Sequence, residues 1–268
     1  MLPALYITFF ILVIVGVIIV RRRIRANIRR MLMAAPVSEE WQKILEKNVK
    51  IYRHLPDDLK AQLHGLINIF LVEKQFVGCQ GLEITDEIKL TVAAQACILL
   101  LNRKTKYYPR LKMIYIYPHT YVADQDGVRC PRLGESWSSG PVVLSWDSIQ
   151  GGARNIHDGK NVVFHEFSHR LDQEDGEADG APILENRSSY KTWAQVLSKE
   201  YEKLQGKTRG RRRSGLNKYG STNPAEFFAV ATEAFFEKAK QMKKKQPELY
   251  EEFKSYYKVD PAEWKSNS

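Results

Sequence analysis

The stretch of the sequence with the clearest chemistry is NVVFHEFSHRLDQEDGEADG, in which two histidines stand four residues apart. On a helix, positions i and i+4 share a face, so His165 and His169 can bind one Zn²⁺ at ~2.0–2.1 Å. Glu166 lies one step further around that helix, where it can reach a water molecule and accept its proton during hydrolysis. The spacing therefore predicts two metal ligands and a catalytic base.

A hydrolytic zinc site needs a third protein ligand, and two acidic residues compete for that role. Asp175 lies six residues past the second histidine, but Asp172 occupies the position where such an arrangement uses a glycine to turn the chain. Glu226, in NPAEFFAVATEAFF, lies on a second predicted helix that Asn223 would cap. Glu226 could also serve only in a capping box with Asn223, so the residues alone leave the third ligand open.

Three further residues have positions suited to a supporting role. Tyr219, in KYGS, could donate a hydrogen bond to the oxyanion that develops during hydrolysis, or pack as a loop tyrosine. Glu233 lies seven residues past Glu226 on the same predicted face, where it could accept an N–H from a ligand histidine or remain solvated. Asp172 shares a face with both histidines, and we expect it to support the site or pack the helix rather than bind the metal.

Amphipathic helices are predicted before the motif, two short strands directly ahead of it, and further helices after it. The segments before the motif are EEWQKILEKNV, PDDLKAQLHGLINIFLVEK, TDEIKLTVAAQACILLLN, MIYIYP and PVVLSW. After the motif come SYKTWAQVLSKEYEKL and helices from about Asn223 and about Gln246. This order predicts one α+β domain over residues 38–268, mostly helical with a small sheet.

The N-terminal twenty residues, MLPALYITFFILVIVGVIIV, carry no charged side chain. As a helix they would extend roughly 30 Å, which matches the hydrocarbon core of a bilayer. The basic segment RRRIRANIRR follows, so the positive-inside rule places it in the cytoplasm. The sequence thus predicts a transmembrane anchor over residues 1–20 and a basic juxtamembrane linker over residues 21–37. We expect the protein at the inner membrane of a bacterium, with the domain facing the cytoplasm.

The net charge of +10 does not indicate a nucleic-acid-binding protein. Six arginines fall within the first thirty residues, which hold no acidic side chain, so the excess elsewhere is modest. A nucleic-acid-binding domain usually concentrates its basic residues on one face of the fold. Direct binding of nucleic acid is therefore not expected.

Several segments together resemble the Mlc titration factor A family of zinc-dependent peptidases, whose catalytic domain is similar to that of anthrax lethal factor. These segments are GCQGLEIT, QACILLLN, GESWSSGPVVLSWD, NVVFHEFSHRLD and NPAEFFAVATEAFF, within about residues 41 to 261. The resemblance implies a zincin-like domain with one zinc ion, a catalytic base and an oxyanion donor. Carried over residue by residue, these roles fall on His165, His169 and Glu226 as ligands, Glu166 as base and Tyr219 as donor.

The sequence therefore predicts a membrane-anchored zinc metallopeptidase that cleaves a peptide or protein substrate, and the resemblance suggests aminopeptidase-type cleavage. The alternative is a membrane-tethered regulatory protein that binds and sequesters a transcriptional regulator, with catalysis secondary. The resembled family is associated with titrating a repressor of sugar uptake, which is why this alternative is retained.

Overall fold

The computed structural model describes residues 2–104, 106–119 and 140–264, with side chains from residue 9 onward. In this part of the chain eleven α-helices surround three short β-strands. The helices are α1 (Leu2–Ala34), α2 (Glu39–Asn48), α3 (Lys50–His54), α4 (Asp57–Glu73), α5 (Asp86–Ile98), α6 (Trp146–Arg154), α7 (Val162–Asp172), α8 (Ser189–Arg209), α9 (Pro224–Glu237), α10 (Ala239–Lys245) and α11 (Pro247–Tyr257). The strands are β1 (Gln75–Gly78), β2 (Met113–Tyr117) and β3 (Val142–Ser145). The predicted mostly helical α+β domain is confirmed, and residues 134–139 of the resembling segments lie outside the described chain.

The transmembrane helix predicted over residues 1–20 is not found: in the described part of the chain, no helix is long and apolar enough to cross a membrane. The described apolar side chains run from Phe9 to Val20, and charged arginines begin at Arg21. The first eight residues of the predicted span lie outside the described side chains.

The segment predicted as a basic linker, residues 21–37, is helical as far as Ala34. This C-terminal half of α1 packs against α4. Arg29 forms two hydrogen bonds to the Glu73 carboxylate, at 2.7 and 2.8 Å. The Asn68 amide donates to the carbonyls of Leu32 and Ala35, at 3.1 and 2.9 Å. These bonds satisfy carbonyl groups that the last turn of a helix leaves free. The basic end of α1 is therefore attached to the folded domain.

The three described strands form one parallel sheet in the order β1, β2, β3. Ile114 in the central strand lies opposite Phe76 of β1 and Val142 of β3. Parallel neighbours require a crossover connection, and α5 lies between β1 and β2 in the chain. Strand β3 leads directly into α6, and α7 begins at Val162 after a short connection.

Helix α7, which carries the motif, is held in the core by aromatic side chains on two sides. The Phe167 ring lies 5.7 Å from Phe70 of α4 and 5.0 Å from Tyr108, measured between ring centroids. The Phe164 ring lies 5.1 Å from Phe236 of α9. Nearly every residue of α9 is buried, as expected for a helix that is apolar on all faces. Packing of these rings fixes α7 and α9 side by side.

Candidate active site

Helix α7 begins at a capping asparagine and presents two imidazoles on one face. The Asn161 Oδ1 atom accepts a hydrogen bond from the backbone N–H of Phe164, at 3.0 Å. Because His165 and His169 are four residues apart on this helix, their ring centroids lie 4.9 Å apart. Their Nε2 atoms approach to 3.3 Å. The two nitrogens thus converge on one point, as the spacing predicts.

Glu226 reaches the same point from the first turn of α9. Asn223 caps this helix, with its Oδ1 atom 2.9 Å from the backbone nitrogen of Glu226. The Glu226 side chain extends toward the imidazoles, with Oε2 3.0 Å from Nε2 of His165 and 3.6 Å from Nε2 of His169. The cap therefore uses only the backbone of Glu226 and leaves its carboxylate for the site.

The three converging atoms have the separations that a small divalent cation requires. Two tetrahedral ligands at ~2.0–2.1 Å from a zinc ion are about 3.3 Å apart. The three observed separations are 3.0, 3.3 and 3.6 Å. Oε2 of Glu226 is buried and lies next to the two imidazole nitrogens, and no other group in the described chain donates a hydrogen bond to it. Two imidazole nitrogens and one carboxylate oxygen therefore fit a metal ion such as zinc, and no other described cluster of His, Cys, Asp and Glu does so.

Glu233, one of the predicted supporting residues, contacts the opposite side of the His165 ring. Its Oε1 atom lies 2.8 Å from Nδ1 of His165, and its Oε2 atom accepts the backbone N–H of Asn161 at 2.6 Å. A carboxylate on Nδ1 favours a proton there and leaves Nε2 free to bind a metal. Glu233 is thus a hydrogen-bond partner of the histidine and not a solvated side chain.

Charge pairing shifts the pKa values of His165 and Glu226 in the metal-free protein. Burial lowers the pKa of His165, but hydrogen bonds with Glu226 and Glu233 outweigh that effect and raise it to about 10. Burial raises the pKa of Glu226, but hydrogen bonds with His165 and His169 outweigh it and lower the pKa to about 2. Without a cation, the Glu226 carboxylate therefore helps to hold a proton on the His165 imidazole. A metal ion would have to displace such a proton to bind.

Tyr219 lies beside His165, and the Glu166 carboxylate is near enough to both residues to raise the pKa of each. Tyr219 belongs to a 3-10 turn (Lys218–Ser221), and its ring centroid lies 6.0 Å from that of His165. Tyr219 is 54% exposed, so the residue can be reached from solvent. Partial burial and the carboxylates of Glu226 and Glu166 raise the pKa of Tyr219, which keeps the hydroxyl protonated. The tyrosine can therefore act as a hydrogen-bond donor next to the site.

An open cleft gives access to the His165 side of the site. Residues from α6, α7, α9 and the 3-10 turn line it, among them Gly151, Asn155, His165, Asn217, Tyr219 and Val230. Both the imidazole of His165 and the ring of Tyr219 face this cleft. A substrate in the cleft would meet both groups.

The two aspartates considered from the sequence have different environments. Asp172 is fully buried, and its Oδ2 atom accepts the backbone N–H of Gly180 at 3.0 Å. Burial raises the pKa of Asp172 to about 7. Gly180 has a φ of +78°, and a Cβ atom there would lie 2.5 Å from the carbonyl oxygen of Pro224. Asp172 thus ties the loop to the start of α9, whereas Asp175 is exposed and accepts a hydrogen bond from Glu177.

Comparison with known proteins shows the family to which the chain belongs. The family model described as glucose-regulated metallo-peptidase M90 matches residues 21–258. The chain belongs to this metallopeptidase family. An uncharacterised protein of Synechocystis is 37% identical over 245 residues, which are 87% of this chain and 88% of that protein. Mlc titration factor A of Klebsiella pneumoniae strain 342 is 29% identical over 235 residues, or 83% of this chain and 87% of that protein. The resemblance to the Mlc titration factor A family is confirmed.

This M90 family member also has polar residues around the site that sequence reasoning missed. Asn161, Gln95 and Glu237 are buried next to Glu233, and the Asn161 amide donates a hydrogen bond to each of the other two. Asn161 carried a local signal, since asparagine directly before an apolar helical segment is a typical N-cap. No local signal in the sequence indicates a role for Gln95 or Glu237, because their shared partner Asn161 lies more than sixty residues away in the chain.

Proposed function

We propose that this protein is a zinc-dependent peptidase in which His165, His169 and Glu226 hold one zinc ion. The observation that supports this proposal is the convergence of two imidazole nitrogens and a carboxylate oxygen from two packed helices, 3.0–3.6 Å apart. A bound zinc ion would supply Lewis acidity that polarises the substrate carbonyl and lowers the pKa of water to about 7. Membership of a metallopeptidase family supports the same activity.

The residues around the metal ligands would transfer protons and stabilise the negative charge that develops on the substrate. Glu166 accepts a proton from the attacking water as the new C–O bond forms. It then passes that proton to the leaving nitrogen as the C–N bond breaks, so the base is regenerated. The Tyr219 hydroxyl donates a hydrogen bond to the oxyanion, whose charge exists only in the transition state and intermediate. Glu233 keeps the proton of His165 on Nδ1, which presents the Nε2 lone pair to the metal site.

Metal content and peptide cleavage measured on the same preparations test this proposal. We expect Glu166→Gln to retain zinc and to lose about 10²–10⁴-fold in turnover, the usual contribution of a general base. His165→Ala should lose both zinc and activity. Asp175→Asn is the matched control, because it alters the rival acidic residue and should retain both. A Glu166→Gln variant that cleaves peptides as fast as the parent would show that the mechanism is wrong.

The predicted aminopeptidase-type cleavage can be tested with the same enzyme. Peptides with a free N-terminus and the same peptides with an acetylated N-terminus are compared by mass spectrometry of the products. Release of single residues from free peptides alone supports aminopeptidase action. Cleavage of acetylated peptides at internal bonds supports endopeptidase action.

A regulatory function is the second candidate, and the name of the relatives favours it. They are called Mlc titration factor A, which states that they titrate Mlc. We propose that the chain could bind and sequester a transcriptional regulator in the same way, with catalysis secondary. Purified Mlc mixed with the Glu166→Gln variant tests this, because an inactive enzyme would not degrade its partner. Comigration in size-exclusion chromatography supports binding, and separate elution counts against it.

The cellular location stays a prediction. The basic residues that follow the apolar N-terminal segment predict a domain facing the cytoplasm at the inner membrane of a bacterium. Fractionation of cells producing the full chain tests this location, and recovery in the soluble fraction without detergent would contradict it.

A further inference from the structure

The side chain of Asn161 connects three helices through its two polar atoms. Its Oδ1 atom caps α7 by accepting the N–H of Phe164, at 3.0 Å. Its Nδ2 atom donates to Oε1 of Gln95 on α5, at 2.8 Å, and to Oε1 of Glu237 on α9, at 3.1 Å. The residue is 2% exposed, so water does not replace these partners. Both amide protons and the carbonyl oxygen of the side chain are thus satisfied within the protein.

The backbone of Asn161 holds the carboxylate that orients His165. The backbone N–H of Asn161 donates to Oε2 of Glu233 at 2.6 Å, and Oε1 of the same carboxylate lies 2.8 Å from Nδ1 of His165. The neighbouring N–H of Lys160 donates to Oε2 of Glu237, at 3.0 Å. A shift of the backbone at Asn161 would therefore move one end of the Glu233 carboxylate and turn the other end away from the imidazole.

Neighbouring residues limit how far Asn161 can move. Gln95 is fully buried, and its own amide donates to the Thr91 carbonyl at 2.9 Å. On the side of α6, a Cβ atom at Gly152 would lie 3.0 Å from Cα of Asn161 and 3.1 Å from its Cγ. A side chain at this position would be tightly packed against Asn161, so α6 lies directly over the asparagine. The asparagine is therefore confined from α5, α6 and α9 together.

We propose that Asn161 is a positioning residue for the metal centre. Its side-chain amide, held by Gln95 and Glu237, fixes Glu233 and through it the orientation of His165. Asn161 itself touches neither substrate nor metal ligand atoms in this scheme. The inference rests on the proposed zinc site, and it adds that the affinity of that site depends on a residue that binds no metal.

Two matched variants separate this role from a general contribution to folding. Asn161→Ser keeps a side-chain oxygen that caps α7 about as well as asparagine but removes both amide donors. Thr232→Val is the control, because Thr232 is buried beside Glu233 on α9 and bonds only to Tyr257, at 2.8 Å, among the contacts described. The melting temperatures of both metal-free variants are measured first, so that differences in stability are known.

The first measurement is the Kd for Zn²⁺ by competition with a chromogenic chelator. Altering hydrogen-bond partners of metal-ligating histidines typically weakens affinity by 10–100-fold. Because Asn161 acts through Glu233, we expect Asn161→Ser to raise the Kd by about tenfold, at the lower end of that range. Thr232→Val should leave the Kd unchanged. A parent-like Kd for Asn161→Ser, or an equal loss in both variants, would overturn the proposal.

The second measurement uses the metal-free protein and so does not depend on zinc. In protein labelled with ¹⁵N-histidine, the Nδ1 proton of His165 should give a protected NMR signal, because Glu233 accepts it. Asn161→Ser should broaden or remove this signal, and Thr232→Val should retain it. If the parent binds no zinc but the signal still depends on Asn161, the metal site is wrong and the positioning of His165 is right. A signal unaffected by Asn161→Ser contradicts the positioning role itself.

Discussion

Replacing Glu233 with glutamine should weaken zinc binding although the side chain keeps its size. Both groups that face this carboxylate are hydrogen-bond donors: the backbone N–H of Asn161, at 2.6 Å, and Nδ1 of His165, at 2.8 Å. His165 must carry its proton on Nδ1 when Nε2 binds a metal. A glutamine amide has one accepting and one donating end, so one of the two contacts must become donor against donor.

The expected magnitude follows from these two contacts. A hydrogen bond to a charged group contributes about 1.5–3 kcal/mol, and the substitution removes one such bond. Since ~1.4 kcal/mol corresponds to a factor of ten, the Kd for zinc should rise by roughly 10–100-fold. The same range is found when hydrogen-bond partners of metal-ligating histidines are changed, typically 10–100-fold. If the amide instead turns its NH₂ group toward His165, the imidazole carries its proton on Nε2 and cannot bind the metal through that atom. The loss of zinc affinity is then at the upper end of this range.

The assay is a chelator competition on Glu233→Gln and on a control that makes the same chemical change elsewhere. Glu200 suits this purpose because it and Glu233 are both 5% exposed. Glu200 lies on α8 and accepts hydrogen bonds from Lys203 and Gln246, each at 2.9 Å. We expect Glu200→Gln to bind zinc as the parent does. Parent-like affinity in Glu233→Gln would refute the reasoning about the His165 tautomer.

Three further changes have definite expected outcomes. Tyr219→Phe should lower kcat by about 10²–10³-fold with KM near that of the parent, because it removes a donor to the oxyanion; an unchanged kcat contradicts this role. Phe164→Ala should lower the free energy of unfolding by about 3–5 kcal/mol in urea titrations, because its ring packs against Phe236. Asp172 has a pKa of about 7 in the folded protein, above its ordinary value of 3.8, so the folded state binds this proton more tightly. The stability of the parent should therefore fall as pH rises from about 4 through 7, and Asp172→Asn should remove that part of the dependence; equal pH profiles would contradict it.

Helices with local signals could be predicted from the sequence. Ser38 and Thr85 accept hydrogen bonds from the first turns of α2 and α5, and Asn223 does the same for α9. Each of these caps is a local interaction that one residue type and its spacing indicate. The same is true of the two imidazoles on α7, whose shared face depends only on helical periodicity.

Elements whose formation depends on distant contacts were missed or given wrong bounds. Strand β1 has only four residues, and its pairing depends on β2, almost forty residues later. Helix α6 contains Gly151 and Gly152, which disfavour a helix by about 1 kcal/mol each, so its sequence resembles a loop. The close approach of Gly152 to Asn161 favours a residue without a side chain there. Helix α8 likewise continues to Arg209, beyond the end of the predicted helical segment SYKTWAQVLSKEYEKL.

The candidate site also has parts that the sequence predicts and parts that depend on packing between distant segments. The pattern of residues left Asp175 and Glu226 as rivals, and only the resemblance favoured Glu226. What brings Glu226 to the histidines is the packing of α7 on α9, with Phe164 against Phe236. Such packing joins residues about sixty positions apart, and no local periodicity can indicate it.

The identity of the third ligand is the central claim, and anomalous diffraction from crystals of the zinc-loaded protein tests it most directly. Data collected on both sides of the zinc absorption edge locate the metal independently of the protein coordinates. We expect one anomalous peak bonded to Nε2 of His165, Nε2 of His169 and a carboxylate oxygen of Glu226. A peak bonded to Asp175 with Glu226 remote, or no peak between α7 and α9, would contradict it.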